Sequence, residues 1–219
     1  MTTRDVATAA EGLVPLEPAP RSPREALARL LAGNRRWVNG EPRHPHQATS
    51  RRRSVAAGQA PFAAVLTCID SRVPPELLFD QGLGDVLVIR TAGQAVDRVA
   101  LGSLEFGPDE LRVPLVFVLG HERCGAVTAA IAAIRQHRGR APGHIQHVVD
   151  ALRPAYTLAV RQPIREGGDL VDTMVRAQTR LTVAQLRRDH LLAERLRRGA
   201  LAVVGGRYDL DTGRVEVIA

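Results

Sequence analysis

The chain has 219 residues, of which 45% are hydrophobic, 24% charged and only 3% aromatic, which suffices for one domain with an aliphatic core. No apolar run approaches the ~20 residues that cross a bilayer, so no membrane partner is expected. The net charge of +7 and pI near 10.9 raise nucleic acid as a partner. However, the arginines are spread along the chain apart from Arg51, Arg52 and Arg53, and aromatic stacking platforms are lacking. A solvated basic surface with no nucleic acid is therefore expected.

Residues 1–22 are rich in Pro and Ala without apolar periodicity and are expected to form a flexible lead-in to a single domain over 23–219. Met1 to Pro20 contains Glu11, Glu17 and several prolines but no apolar core of an export signal, so a cytoplasmic location is expected. The two cysteines, Cys68 and Cys124, are then not expected to pair as a structural disulfide.

Ser22-Pro23-Arg24-Glu25 has the pattern of a helix start, with Ser22 as cap, Pro23 in the first position and Glu25 closing a capping box. Leu27, Leu30 and Leu31 share one face, and Gly33 is expected to interrupt the helix before Trp37. The stretch from Gly40 to Gln47, with Pro42, His44, Pro45 and His46, is a loop. Four short apolar runs follow, at Phe62–Thr67, Val86–Ile89, Pro114–Leu119 and Leu201–Val204, each suited to a strand buried on both faces. Helical segments are expected over 95–106, 124–137, 143–153 and 168–198. Tyr208 to Ile218 has the pattern of an edge strand, turning at Asp211-Thr212-Gly213 before Val215 to Val217. Strands alternating with helices predict an α/β fold with a central, mainly parallel sheet flanked by helices.

Two clusters carry chemistry. Cys68-Ile69-Asp70-Ser71-Arg72 follows the first strand and His121-Glu122-Arg123-Cys124-Gly125 follows the third, so both lie where open α/β sheets place their ligands. If those strands are neighbours, two thiolates and one imidazole converge on a site that suits zinc and leaves a fourth position open. Asp70 is close enough to fill that position or to accept a hydrogen bond from a water there, and Arg72 can hold it ionised. The C-x-x-C spacing of a redox pair is absent.

The segments Cys68-Ile-Asp-Ser-Arg-Val-Pro-Pro-Glu and Val118-Leu-Gly-His-Glu-Arg-Cys-Gly-Ala resemble the two signature regions of β-class carbonic anhydrases. The similarity extends through Gly84-Asp85, Arg90-Thr91-Ala92-Gly93 and Gly102-Ser103-Leu104-Glu105 to Val203–Asp209. The resemblance implies four parallel strands with an added antiparallel one, a homodimer often doubled to a tetramer, and an N-terminal helix packed on the partner subunit. It implies Zn2+ on Cys68, His121 and Cys124, a catalytic pair of Asp70 and Arg72, and zinc-bound hydroxide attacking CO2 to give bicarbonate and a proton. Gln59 matches a glutamine that bonds substrate across the dimer interface. Leu87, at a position often aromatic in relatives, would line a dry substrate pocket, and the proton would leave by buffer or through a relay at His44 or His46. In one branch of the family Asp70 would close onto the metal at low pH, with bicarbonate held by residues corresponding to Trp37, Arg90 and Tyr208. Thr67 stands where that branch commonly has Gly.

Overall fold

Aliphatic runs with no polar side to turn outward are best satisfied inside a sheet covered on both faces; all four runs form strands, but only the first and third are wholly buried, the second being half-buried throughout. The computed structural model describes residues 20–136, 138 and 140–219. Most of the expected lead-in therefore lies outside the described residues, as does His137 at the end of the expected helix 124–137. Strands β1 (Ala63–Cys68), β2 (Val86–Thr91), β3 (Leu115–His121) and β4 (Ala202–Tyr208) run parallel, and β5 (Val215–Val217) pairs antiparallel with β4. The order β2-β1-β3-β4-β5 puts β1 and β3, both wholly buried, side by side in the middle. This is the mainly parallel sheet with an antiparallel edge that the sequence predicts.

Helix α1 (Pro23–Val38) begins with the expected capping box: Glu25 N donates to Ser22 Oγ and Ser22 N donates to the Glu25 carboxylate, both at 3.2 Å. Gly33 does not interrupt it. A Cβ at that position would sit 1.7 Å from the Phe79 carbonyl oxygen, so the glycine allows helix and loop to touch. In this single chain α1 lies against its own body through Ala26 and Leu30. Asn34 ties it there, donating to the carbonyls of Leu78 (3.1 Å) and Gly213 (2.9 Å) and accepting from Val215 N (2.9 Å).

A short α2 (Thr49–Ser54) covers the arginine run, where no apolar periodicity announces a helix and no residue is buried. Arg51 secures it, donating through Nε to the Leu83 carbonyl at 2.8 Å and pairing with Asp85. One-turn α3 (Pro75–Leu78) follows β1. Helix α4 (Arg98–Glu110) starts at an Asp97 cap that accepts from Ala100 N, three residues later than expected. Helices α5 (Gly125–Gln136) and α6 (Ile145–Ala159) follow β3, the latter running past Pro154 because Ala155 and Ala159 remain buried. The long helix expected over 168–198 is two: α7 (Leu170–Arg187) and α8 (Ala193–Arg197). Between them Asp189 accepts from the amides of Leu191 and Leu192, and Leu192 turns into the core.

One face of the sheet packs Val65, Phe117 and Leu119 against Leu30, Val127 and Leu152, with Phe79 edge-on to Phe117 at 5.5 Å. The other packs Leu66, Val116 and Val118 against Leu104, Val183 and Leu186. Among the described residues no helix is long and apolar enough to cross a membrane.

Gly33→Ala gains helix propensity worth about 1 kcal/mol but drives a methyl into backbone, an overpacking that costs about 1–3 kcal/mol. The expected outcome is a lower urea-unfolding midpoint; a raised one would show that α1 is free to shift. Burial works to raise the Asp209 carboxyl, but Thr212 N–H, Arg207 and the Thr212 hydroxyl outweigh it and hold it down, from the ordinary 3.8 to about 2. A carboxyl depressed on folding stabilises above its ordinary pKa and loses that effect as pH falls through the folded value. Asp209→Asn should therefore lower the melting temperature at neutral pH, with the gap closing between about pH 4 and pH 2. A gap that stays constant over that window contradicts the assignment.

Candidate metal centre

The register of the two central strands builds the site. Leu66 lies opposite Val118 and Thr67 opposite Leu119, so Cys68, the last residue of β1, ends level with the last residues of β3. There His121 closes β3 and the chain turns sharply, with Arg123 in the left-handed region at φ +49°. The turn brings Cys124 back to the start of α5. The amides of Ala126 and Val127 at that helix end work to lower the Cys124 thiol, as a helix N-terminus favours a thiolate. Cys68 Sγ and Cys124 Sγ are 3.8 Å apart, and both cysteines are free and buried. The ligand atoms of Cys68, His121 and Cys124 lie within 4.8 Å of one another.

The histidine is prepared for ligation. His121 Nδ1 lies 2.8 Å from the Glu122 carbonyl oxygen, which can only accept, so Nδ1 carries the proton and Nε2 offers its lone pair. Nε2 is wholly buried with no partner, a costly state for a polar atom unless something else binds it. The Cys124 thiol bonds toward Cys68, and this, with the Gly93 amide, pulls the Cys68 thiol well below its ordinary range despite burial. The same contact, with burial, pushes Cys124 up. The unpartnered Nε2 and the two adjoining sulfurs make an N/S donor set that fits zinc.

Asp70 stands beside the cluster, with Oδ2 3.9 Å from His121 Nε2. Arg72 grips it as a fork, Nε to Oδ1 at 2.9 Å and Nη2 to Oδ2 at 2.7 Å, and its backbone amide adds a third bond at 3.0 Å. This fork holds the Asp70 carboxyl well below the usual carboxylate range. Arg90 fixes the backbone beneath, donating to the carbonyls of Cys68 (2.9 Å) and Asp70 (2.6 Å). A cavity of about 290 Å³ opens on Cys68 and Asp70 and is walled by Ala92, Ala126, Ala130, Ile145 and Val149.

The other expected site residues lie elsewhere in this chain. Trp37 Nε1 donates to Tyr208 Oη at 3.1 Å, but Arg90 is on β2, three strands from Tyr208 on β4 and roughly 14 Å away between strand axes. The structure does not bring that trio together. Gln59 is exposed ahead of β1, whose length of roughly 16 Å separates it from Cys68. Leu87 pairs with Ala64 near the same far end. His46 is committed to Asp85, at 2.7 Å. Thr67 donates to the Leu119 carbonyl at 3.0 Å, pinning β1 to β3. Sequence reasoning missed Gln94, buried behind Cys68; its one signal is a large polar residue directly after a glycine at a strand end.

Residues 63–215 match the family model described as carbonic anhydrase. Carbonic anhydrase 2 of Mycobacterium tuberculosis is 45% identical over 195 residues, 88% of this chain and 91% of its own. Among solved structures, the Coccomyxa β-carbonic anhydrase in complex with acetazolamide superposes with a TM-score of 0.68 at 29% identity, over 88% of this chain and 86% of its own. The chain belongs to the β-carbonic anhydrase family. The fold agrees further with one of two tetrameric β-carbonic anhydrases from Sordaria macrospora, at a TM-score of 0.71 and 22% identity over 89% and 98% of the two chains.

One equivalent of zinc per chain should raise the melting temperature of metal-free protein, since an ion bound only by the native state stabilises it. Cys124→Ser should abolish that rise and the accompanying zinc retention on gel filtration. An equal rise in the variant would move the metal off this cluster.

Proposed function

We propose that this chain is a zinc enzyme catalysing the reversible hydration of CO2 to bicarbonate and a proton. The observation that carries the reading is the convergence of Cys68, His121 and Cys124 within 4.8 Å, with an ionised, arginine-held carboxylate alongside. Cys68, His121 and Cys124 would hold the zinc, which as a Lewis acid makes water nucleophilic near neutral pH.

The chain's own residues supply the rest. Asp70 accepts a hydrogen bond from the attacking water and so aims its lone pair toward the cavity. Arg72 keeps Asp70 ionised, so the carboxylate orients the water without retaining its proton, which passes to solvent. The aliphatic cavity wall admits an uncharged, apolar gas and offers bulk water few partners. A closure of Asp70 controlled by pH or bicarbonate is not part of this reading. Its bicarbonate-held form would need Trp37, Arg90 and Tyr208 on one anion, whereas Arg90 already serves the carbonyls of Cys68 and Asp70.

The partner this reading implies is a second copy of the chain. Strand β2 lies at the sheet edge with all six residues only half-buried. Beside it a groove of about 560 Å³ runs along α4, with Phe106 53% and Val99 78% exposed. Leu87 lines that groove. Gln59 and Leu87, both distant from their own Cys68, would act in the neighbouring subunit's cavity.

Stopped-flow CO2 hydration on metal-quantified protein tests the proposal. Asp70→Asn should retain one zinc per chain and lose about 10²-fold or more in kcat. Full turnover in that variant removes Asp70 from the chemistry, and a metal-loaded parent chain without hydration activity removes the reaction.

A further inference from the structure

Resting on the metal reading above, we infer that Gln94 is a positioning residue that aims the Gly93 amide at the Cys68 sulfur and thereby tunes the metal centre. Three irregularities meet at this residue. Gln94 is not a glycine, yet it has φ +45°, directly after Gly93 at φ +63°. It is completely buried. Its Oε1 has no hydrogen-bond partner. A left-handed non-glycine residue is strained and persists only where its surroundings impose it. A buried acceptor left unpaired adds a further cost.

The surroundings explain what imposes it. Residues Ala92–Gln94 form one tight 3-10 turn at the end of β2, closed by Thr91 Oγ1 donating to the Ala95 carbonyl at 2.6 Å. The Gly93 amide points out of this turn and donates to Cys68 Sγ at 3.3 Å. On its other side the turn is anchored through Gln94 Nε2, which donates to Thr179 Oγ1 on α7 at 3.4 Å. The direction of that bond follows from the next one. Thr179 gives its own hydroxyl proton to the Val175 carbonyl at 3.0 Å and can only accept from Gln94. Space for the pair comes from Gly120, where a Cβ would lie 2.6 Å from Thr179 Oγ1 and 3.0 Å from Gln94 Nε2. An unbroken chain of contacts thus runs from α7 through Thr179 and Gln94 to the Gly93 amide and Cys68.

The purpose lies in the donor set. Two thiolates give a metal more negative charge than imidazoles would and blunt its Lewis acidity. An N–H bond to one sulfur draws electron density back, an effect that partners surrounding metal ligands commonly exert. Strain at Gln94 buys an amide aimed at that sulfur.

Cobalt(II) exchanged into the full chain reports the sulfur directly, through its thiolate-to-metal charge-transfer absorption. Removing the N–H bond raises the sulfur lone pair, so Gln94→Met and Thr179→Val should each shift that band to longer wavelength. Thr179→Ser, which keeps the hydroxyl, should leave it in place. In the zinc form the first two variants should lose roughly tenfold in kcat. A structural role alone would lower the melting temperature without moving the band. Should Gln94→Met fail to fold, Thr179→Val, altered on α7 and away from the turn, decides. Unshifted bands in the folded variants overturn the inference while leaving the zinc enzyme intact. A parent chain that shows no thiolate band with cobalt overturns both.

Discussion

The site depends on the pairing register of β1 with β3. Parallel strands hydrogen-bonded in this register finish together, and only then do a residue at the end of one and a residue at the end of the other face a common point. A slip of one residue would reverse the side-chain faces of the whole strand. It is resisted by Leu66, Val118 and their neighbours, all buried, and by the Thr67 hydroxyl on the Leu119 carbonyl. The metal cluster therefore inherits its geometry from the core, and the same aliphatic burial that holds the sheet together sets the distance between donors.

Electrostatically the centre is a balance of like and unlike charge in a dry place. Two buried sulfurs 3.8 Å apart cannot both be anionic without a cation between them, and their contact and burial push the Cys124 thiol up. Asp70 brings a third negative charge, offset by the Arg72 fork. Arg90 spends its donors on backbone, not on a carboxylate. Around this charged knot the cavity wall is made of small aliphatic side chains, so the field of the centre is little screened where an uncharged substrate would meet it.

The sheet, its four parallel strands and the cluster of Cys68, His121 and Cys124 were legible because apolar runs and strand-end position are local signals. Cys68 and His121 could be placed together from sequence once the runs ending at Thr67 and Leu119 were taken as neighbours. The boundaries that went astray have non-local causes. Gly33 looks like a breaker but is a contact with Phe79, and α2 exists because Arg51 reaches the Leu83 carbonyl and Asp85. The split between α7 and α8 rests on one Asp189 carboxylate catching two amides, invisible in a continuous helical pattern. Gln94 was illegible for a different reason: its role is carried by a neighbour's backbone amide, and no side-chain motif records that.

The two margins of the sheet differ, and the difference limits how the molecule can grow. At one, β5 is only three residues long, a stub too brief to template another strand. At the other, β2 offers six residues. A ribbon that can be extended from a single side is used up by one symmetrical encounter, since the second molecule presents the same side and covers it in turn. Addition through the strands then terminates at two chains, and any larger particle has to be assembled through other surfaces, a built-in guard against filaments.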